Sequence, residues 1–170
     1  ADDTDFQMLV KREKECYLKL NHPLIPKLYG TTNNNIIIEY ISGSTLLLLI
    51  NKCELNDNDK ISIIFQIMII IKYFHDNNMI LRDLKPNNIM VDHNKTVVFI
   101  DFDHVISIDN IIDYENVTCL MSIYIAPEHG KGKFTFKSDI YSLGKIIYYI
   151  MTNKEPEDKT MKQYNDFGKH

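Results

Sequence analysis

Cysteine is scarce and scattered in this chain. The three thiols, Cys16, Cys53 and Cys119, are odd in number and stand in no Cys-x-x-Cys or Cys/His ligand spacing. That pattern excludes a disulfide framework and a zinc site, and it predicts reduced thiols in a cytoplasmic protein. Runs of Lys and Arg are absent as well. With 19 basic against 23 acidic side chains and a net charge of −4, the sequence offers no electrostatic footprint for nucleic acid or an anionic membrane. No apolar run approaches the roughly 20 residues that a membrane-spanning helix needs. The most apolar stretch, 61–71, is broken by Ser62 and Gln66 and flanked by Lys60 and Lys72, so it reads as a buried helix. No signal peptide, lipidation motif or internal repeat is visible, and the sequence given starts at Ala1.

What is present is enough for a core. The 170 residues are 45% hydrophobic, which fits one globular domain or a large piece of one. Phe6, Leu9, Val10, Tyr17 and Leu18 recur at helical spacing and predict an amphipathic helix over 5–20, ended by Asn21-His22-Pro23. Two short β-branched and aromatic runs, 27–30 and 36–41, flank the turn-forming residues 31–35 and predict an antiparallel strand pair. A short apolar helix to about Lys52 and a second over 58–74 follow, the second apolar nearly all round. A hairpin is expected from 89–92 and 96–100 around His93-Asn94-Lys95. Ser138 is expected to cap a last helix in which Ile140, Leu143, Ile147 and Ile150 share a face.

The hairpin points to chemistry. If Ile89 lies opposite Ile100, Asn88 and Asp101 stand side by side at its open end. A carboxylate beside an amide carbonyl suits Mg²⁺, which takes few protein ligands and fills its shell with water and phosphate oxygens. Arg82-Asp83-Leu84-Lys85, just upstream, adds a carboxylate and positive charge. Such a set can hold a metal, orient a hydroxyl and neutralise a phosphate.

These residues carry a family resemblance. Leu81-Arg82-Asp83-Leu84-Lys85-Pro86-Asn87-Asn88 resembles the catalytic loop of eukaryotic-type protein kinases, of serine/threonine type at Lys85. Asp101-Phe102-Asp103 resembles their metal-binding triplet, and Ala126-Pro127-Glu128 the motif closing their activation segment. Asp139-Ile140-Tyr141-Ser142-Leu143-Gly144 is similar to the helix whose aspartate anchors the catalytic loop, and Glu13, nine residues before His22-Pro23, to the ion-pairing glutamate of the αC helix.

The resemblance implies an α+β, protein-kinase-like bilobal fold cut short at both ends: a partial small β lobe over 1–41 and the front half of a mainly helical large lobe over 42–170. It implies ATP-dependent phosphorylation of Ser or Thr in a protein substrate, with ATP and Mg²⁺ as cofactors. Asp83 would accept or orient the hydroxyl proton, Lys85 would steady the transferring phosphate, and Asn88 and Asp101 would bind magnesium. Ile38 falls at the gatekeeper position, the backbone of Glu39 and Ile41 at the adenine-binding hinge, and Met90 under the adenine ring. Ile38, Ile41 and Met90 are also what ordinary core packing would place there. Tyr17, Leu28, Leu81 and Phe102 would stack as the regulatory spine. Arg82 would either bind a phosphate on the activation segment, with Thr118 and Ser122 as acceptors, or tie down backbone carbonyls.

The sequence departs from the pattern at Leu81, where the family has histidine, at Asp103, where it has glycine, and at Met121, where it has threonine. Nothing among the residues before Glu13 forms a glycine-rich loop or a strand lysine, so this 170-residue chain is expected to bind ATP-Mg²⁺ weakly and to turn over poorly or not at all. The rival reading is therefore a pseudokinase that binds or scaffolds without turnover. His75, His93, His104, His129 and His170 show no metal spacing and read as packing or surface residues.

Overall fold

The computed structural model of the chain describes residues 3–33, 35–108, 122–131 and 133–157. Its first element is the amphipathic helix α1 (Asp3–Lys19), which turns Cys16 and Tyr17 inward while Leu18 stays exposed. Strands β1 (Leu28–Thr31) and β2 (Ile36–Ile38) pair antiparallel, with Leu28 opposite Ile38. The second strand stops three residues short of the expected end at Ile41. The Glu39 N–H still reaches the Lys27 carbonyl at 2.8 Å, but beyond it the chain leaves the sheet and crosses to the helical part of the fold.

That part opens with β3 (Gly43–Thr45) and α2 (Leu46–Asn51), the helix capped by the Thr45 hydroxyl accepting the Leu48 N–H at 3.3 Å. Helix α3 (Asp57–Asp76) has an Asn56 cap and puts Asp57 and Asp59 in its first turn, where negative charge suits the helix dipole. It buries Ile63, Ile67, Ile70, Ile71 and Phe74 almost completely. The expectation of a helix covered on all sides fails here: Ile61, Phe65, Met68 and Ile69 are 45–60% exposed among the described residues. Spacing alone separated no faces, because apolar residues occupy both.

The hairpin of β5 (Ile89–Asp92) and β6 (Val97–Phe99) joins β3 in a three-stranded sheet of order β3-β5-β6. Its register differs from expectation by one residue: Ile89 pairs with Phe99, not Ile100. A turn centred on Asn94 requires this. The Asp92 carboxylate accepts the N–H groups of Asn94 and Thr96 at 2.8 and 2.7 Å, and Lys95 takes the left-handed conformation at φ 63°. Asn88 therefore faces Ile100, whose N–H donates to its carbonyl at 3.0 Å, and Asp101 lies one residue beyond.

Gly43 packs where β3 meets β5, and a methyl group there would overlap the Val91 carbonyl oxygen. Gly43→Ala is expected to destabilise the fold by about 1–3 kcal/mol, the usual cost of forcing atoms into a filled site. Urea denaturation checks this, and an unchanged midpoint would mean that β3 shifts away freely.

Two two-residue strands, β4 (Met79–Ile80) and β7 (Ile106–Ser107), also pair antiparallel. They are too short to leave a periodic signal. The last described helix is α4 (Phe136–Thr152). Its cap is Thr135 rather than Ser138, which instead completes a capping box from the third helical position. Its buried stripe is Ser138, Asp139, Ser142, Leu143, Ile146, Tyr149 and Ile150, whereas Ile140 is 52% exposed. The face is thus rotated from the expected one, because three small or polar side chains are drawn inward as hydrogen-bonding groups. One core runs through Tyr17, Phe74, Ile89, Phe99, Phe102, Ile146 and Ile150 and joins α1, α3, the three-stranded sheet and α4.

Candidate active site

Between β4 and β5 the chain makes a loop that no strand supports, and α4 holds it instead. The Asp139 carboxylate, 1% exposed, accepts the N–H groups of Leu81 and Arg82, each at 3.0 Å. Arg82 takes a left-handed φ of 66°, a strained conformation for a residue with a Cβ, and these bonds hold it there. The Asp83 N–H then folds back on the Leu81 carbonyl at 2.8 Å. Pro86 starts a short 3-10 turn, Pro86–Asn88, where its missing N–H is no loss.

The result is a convergence of three side chains. Asp83, 8% exposed, receives the Lys85 ammonium at 2.5 Å on Oδ2, and the same oxygen accepts from Asn88 Nδ2 at 3.1 Å. Asn88 Nδ2 also reaches the Asp83 carbonyl at 3.2 Å. Both contacts use the amide nitrogen, so Asn88 Oδ1 is left as an acceptor.

Asp101 follows β6 with φ 70°, a turn that sends Phe102 into the core. The Phe102 ring lies edge-on to Tyr17 at 5.1 Å between centroids and against Phe74 at 5.4 Å. Leu81 is buried in the same core and Leu28 packs against it, so the four residues expected to stack share one apolar cluster.

Three carboxylates gather beside Phe102. Partial burial leads the upward push on Asp101, although its side chain opens to solvent. The charge of Asp103 and a hydrogen bond between the two carboxyl groups add to it, while Lys85 and His104 oppose it. Burial also raises Glu13, against a hydrogen bond from the Phe102 backbone and with Asp101 and Asp103 adding repulsion. Glu13 thus reaches from α1 to the start of the segment after β6. A cation placed among these groups would relieve that repulsion. Among the described residues no three His, Cys, Asp or Glu side chains form a metal-binding group; any metal here would draw on the Asn88 amide and on non-protein oxygens.

The residues expected around a nucleotide base lie on two separate sheets and on the segment that joins them. Ile38 ends β2, half-buried against the core. Glu39 is exposed, its carboxylate accepting the Lys27 N–H at 3.1 Å. Ile41 is half-buried, and its backbone N–H and C=O have no hydrogen-bond partner among the described residues. Met90 is half-buried on β5, opposite Thr45 and Val98.

The Arg82 guanidinium carbon sits 4.1 Å from the centre of the Phe134 ring. Ser122 spends its hydroxyl locally, accepting the Tyr124 N–H at 3.3 Å, and Thr118 and Met121 lie outside the described residues.

Several contacts had no signal in the sequence. Ser138 Oγ donates to the Glu128 carboxylate at 2.9 Å, Ser142 Oγ to the Tyr124 carbonyl at 2.8 Å, and Lys145 Nζ to the Ile123 carbonyl at 2.6 Å. Helix α4 therefore holds residues 123–128 as well as the loop around Asp83. His75 was read as packing or surface, yet its Nε2 lies 2.8 Å from Asp139 Oδ2.

Comparison with known proteins gives this geometry a family context. The sequence profile described as "Protein kinase domain" matches residues 1–169. Serine/threonine-protein kinase PrkC of Bacillus subtilis is 31% identical over 165 residues, covering 93% of this chain and 26% of the relative. Calcium-dependent protein kinase 6 of Plasmodium berghei is 34% identical over 154 residues, 86% of this chain and 10% of the relative. Serine/threonine-protein kinase PknB of Mycobacterium leprae is 29% identical over 168 residues, 92% and 27% respectively. The chain spans about a quarter or less of the length of these relatives.

Proposed function

Because the chain belongs to the protein kinase domain family, we propose that it carries the catalytic loop of a serine/threonine kinase, which transfers the γ-phosphoryl group of ATP to a protein hydroxyl. The observation that carries this reading is the grip of Lys85 and Asn88 on the nearly buried Asp83 carboxylate. Phosphoryl transfer asks little covalent chemistry of a protein and depends on positioning and on neutralising charge. Asp83, fixed from both sides, can accept a hydrogen bond from a Ser or Thr hydroxyl and aim its oxygen. Lys85, 2.5 Å from that carboxylate, is placed to face the oxygens of the group in transit.

The donor set fits magnesium. Asn88 Oδ1 remains an acceptor after both amide contacts to Asp83, and the crowded Asp101 and Asp103 carboxyls lie where a cation would be favourable. Asn88 and Asp101 would hold the ion, which when bound neutralises phosphate charge. Ile41, whose backbone N–H and C=O have no partner among the described residues, and Glu39 would receive the edge of adenine, with Ile38 and Met90 supplying apolar contact.

The test is transfer itself. The chain is incubated with γ-labelled ATP and peptides bearing Ser, Thr or Tyr, with Mg²⁺ or with EDTA. Weak label on Ser or Thr that needs Mg²⁺ is the expected result. Label no higher than a protein-free blank would overturn the reading in favour of a binding module without turnover, and label on Tyr alone would overturn the substrate class.

A further inference from the structure

We infer that Lys145 is a positioning residue for the protein substrate, acting through residues 123–126, an inference that rests on reading the loop around Asp83 as the site of phosphoryl transfer. Lys145 stands one residue beyond the motif at 139–144 and is half-buried on α4. Its ammonium donates to the Ile123 carbonyl at 2.6 Å and to the Glu157 carbonyl at 3.1 Å, and it lies 5.4 Å from the centre of the Tyr141 ring. No backbone N–H among the described residues reaches either carbonyl. One side chain therefore staples the segment before α4 to the segment after it. A hydrogen bond from a charged donor is about twice as strong as a neutral one, and a half-buried ammonium deprived of water has every reason to keep both.

Position gives the staple its role. Asp139, Ser142 and Lys145 follow one another at three-residue steps along α4. In that row Asp139 holds the amides of Leu81 and Arg82, Ser142 the Tyr124 carbonyl and Lys145 the Ile123 carbonyl. Six residues of helix rise about 9 Å, a length that an extended peptide covers in about three residues. The residues flanking the acceptor hydroxyl of a peptide placed at Asp83 thus fall within reach of residues 123–126. Tyr124, Ile125 and Ala126 are fixed from within by burial. Ile123 is only half-buried, and among the described residues Lys145 is the one side chain that bonds to it. Contacts to flanking residues are made alike before and during transfer, so loosening them raises KM and leaves kcat.

Lys145→Met keeps the length of the stem and removes every donor, whereas Lys145→Arg keeps a cation with donors enough for two carbonyls. In the full chain, the Tyr124 and Ile125 amides should exchange hydrogen at least about tenfold faster in the Met variant and near the wild-type rate in the Arg variant. The amides of Leu81 and Arg82, and those of Tyr149 and Ile150 within α4, should stay unchanged in both. A fluorescent Ser/Thr peptide followed by anisotropy should bind about tenfold more weakly to the Met variant and near normally to the Arg variant. Phosphoryl transfer to the same peptide should show KM raised about tenfold in the Met variant, with kcat within about twofold.

Wild-type exchange at Tyr124 and Ile125 in Lys145→Met would overturn the inference. So would faster exchange spread equally to Tyr149 and Ile150, unchanged peptide binding, or a fall in kcat at constant KM. A wild-type chain without transfer would remove the functional reading alone, since exchange and peptide binding would still decide the role of Lys145.

Discussion

Asp83→Asn is expected to lower kcat for peptide phosphorylation by about 10²–10⁴-fold, the range over which a positioned acid or base acts. The Michaelis constants for ATP and peptide should change by no more than about threefold, because the substitution keeps the shape of the side chain and removes an interaction that matters during transfer. The structure gives the reason for the asymmetry. Asp83 Oδ2 accepts from both Lys85 Nζ and Asn88 Nδ2, so an amide at residue 83 can satisfy these donors only through its single oxygen. It also has no charge with which to attract a hydroxyl proton. Initial rates over a grid of ATP and peptide concentrations measure this. A fall of less than about tenfold would take Asp83 out of the proposed role, because an orienting group that does nothing else would be worth that little.

Asp139→Ala should have the largest effect on stability. The carboxylate is 1% exposed and holds the amides of Leu81 and Arg82 and the His75 imidazole. Removing it leaves three buried donors without an acceptor and frees the left-handed turn at Arg82. Breaking a buried charged contact of this kind costs about 3–5 kcal/mol, a large part of the stability of a domain this size, which is about 5–15 kcal/mol. With urea slopes of about 1–3 kcal/mol/M, the unfolding midpoint should fall by about 1–5 M. Far-ultraviolet circular dichroism during urea titration follows it. A shift below about 0.5 M would show that Asp139 does not carry the loop. Asp139→Asn should fall between the two, since its amide offers one acceptor oxygen where the carboxylate has two.

Local structure was legible wherever side-chain spacing and end signals agreed. The 5–20 periodicity emerges as α1, the Asn-rich turn at 31–35 joins two strands, and the apolar run at 61–71 lies inside α3. The identities around Asp83 were legible for a different reason: Asp83, Lys85 and Asn88 lie within six consecutive residues, so a short loop is enough to gather them. Where two signals competed, the sequence was ambiguous. Ser138 and Thr135 are both good caps, and Thr135 takes the role while Ser138 Oγ engages Glu128, ten residues before it. The hairpin turned on one residue of register, set by the Asp92 carboxylate capping the loop amides, and that shift moved Asp101 from beside Asn88 to one residue beyond.

By itself the sequence determined the family, the order of the helices and of the two strand pairs at 27–41 and 89–100, and the residue types of the loop, since these depend on neighbours along the chain and on side-chain chemistry. Only the tertiary structure decided which face of α4 turns inward, that Arg82 packs on Phe134, and that His75 meets Asp139 across 64 residues. Those outcomes depend on where buried polar groups find their partners. A buried carboxylate takes whatever donors the packing of α3 against α4 brings to it, and no local spacing records that meeting.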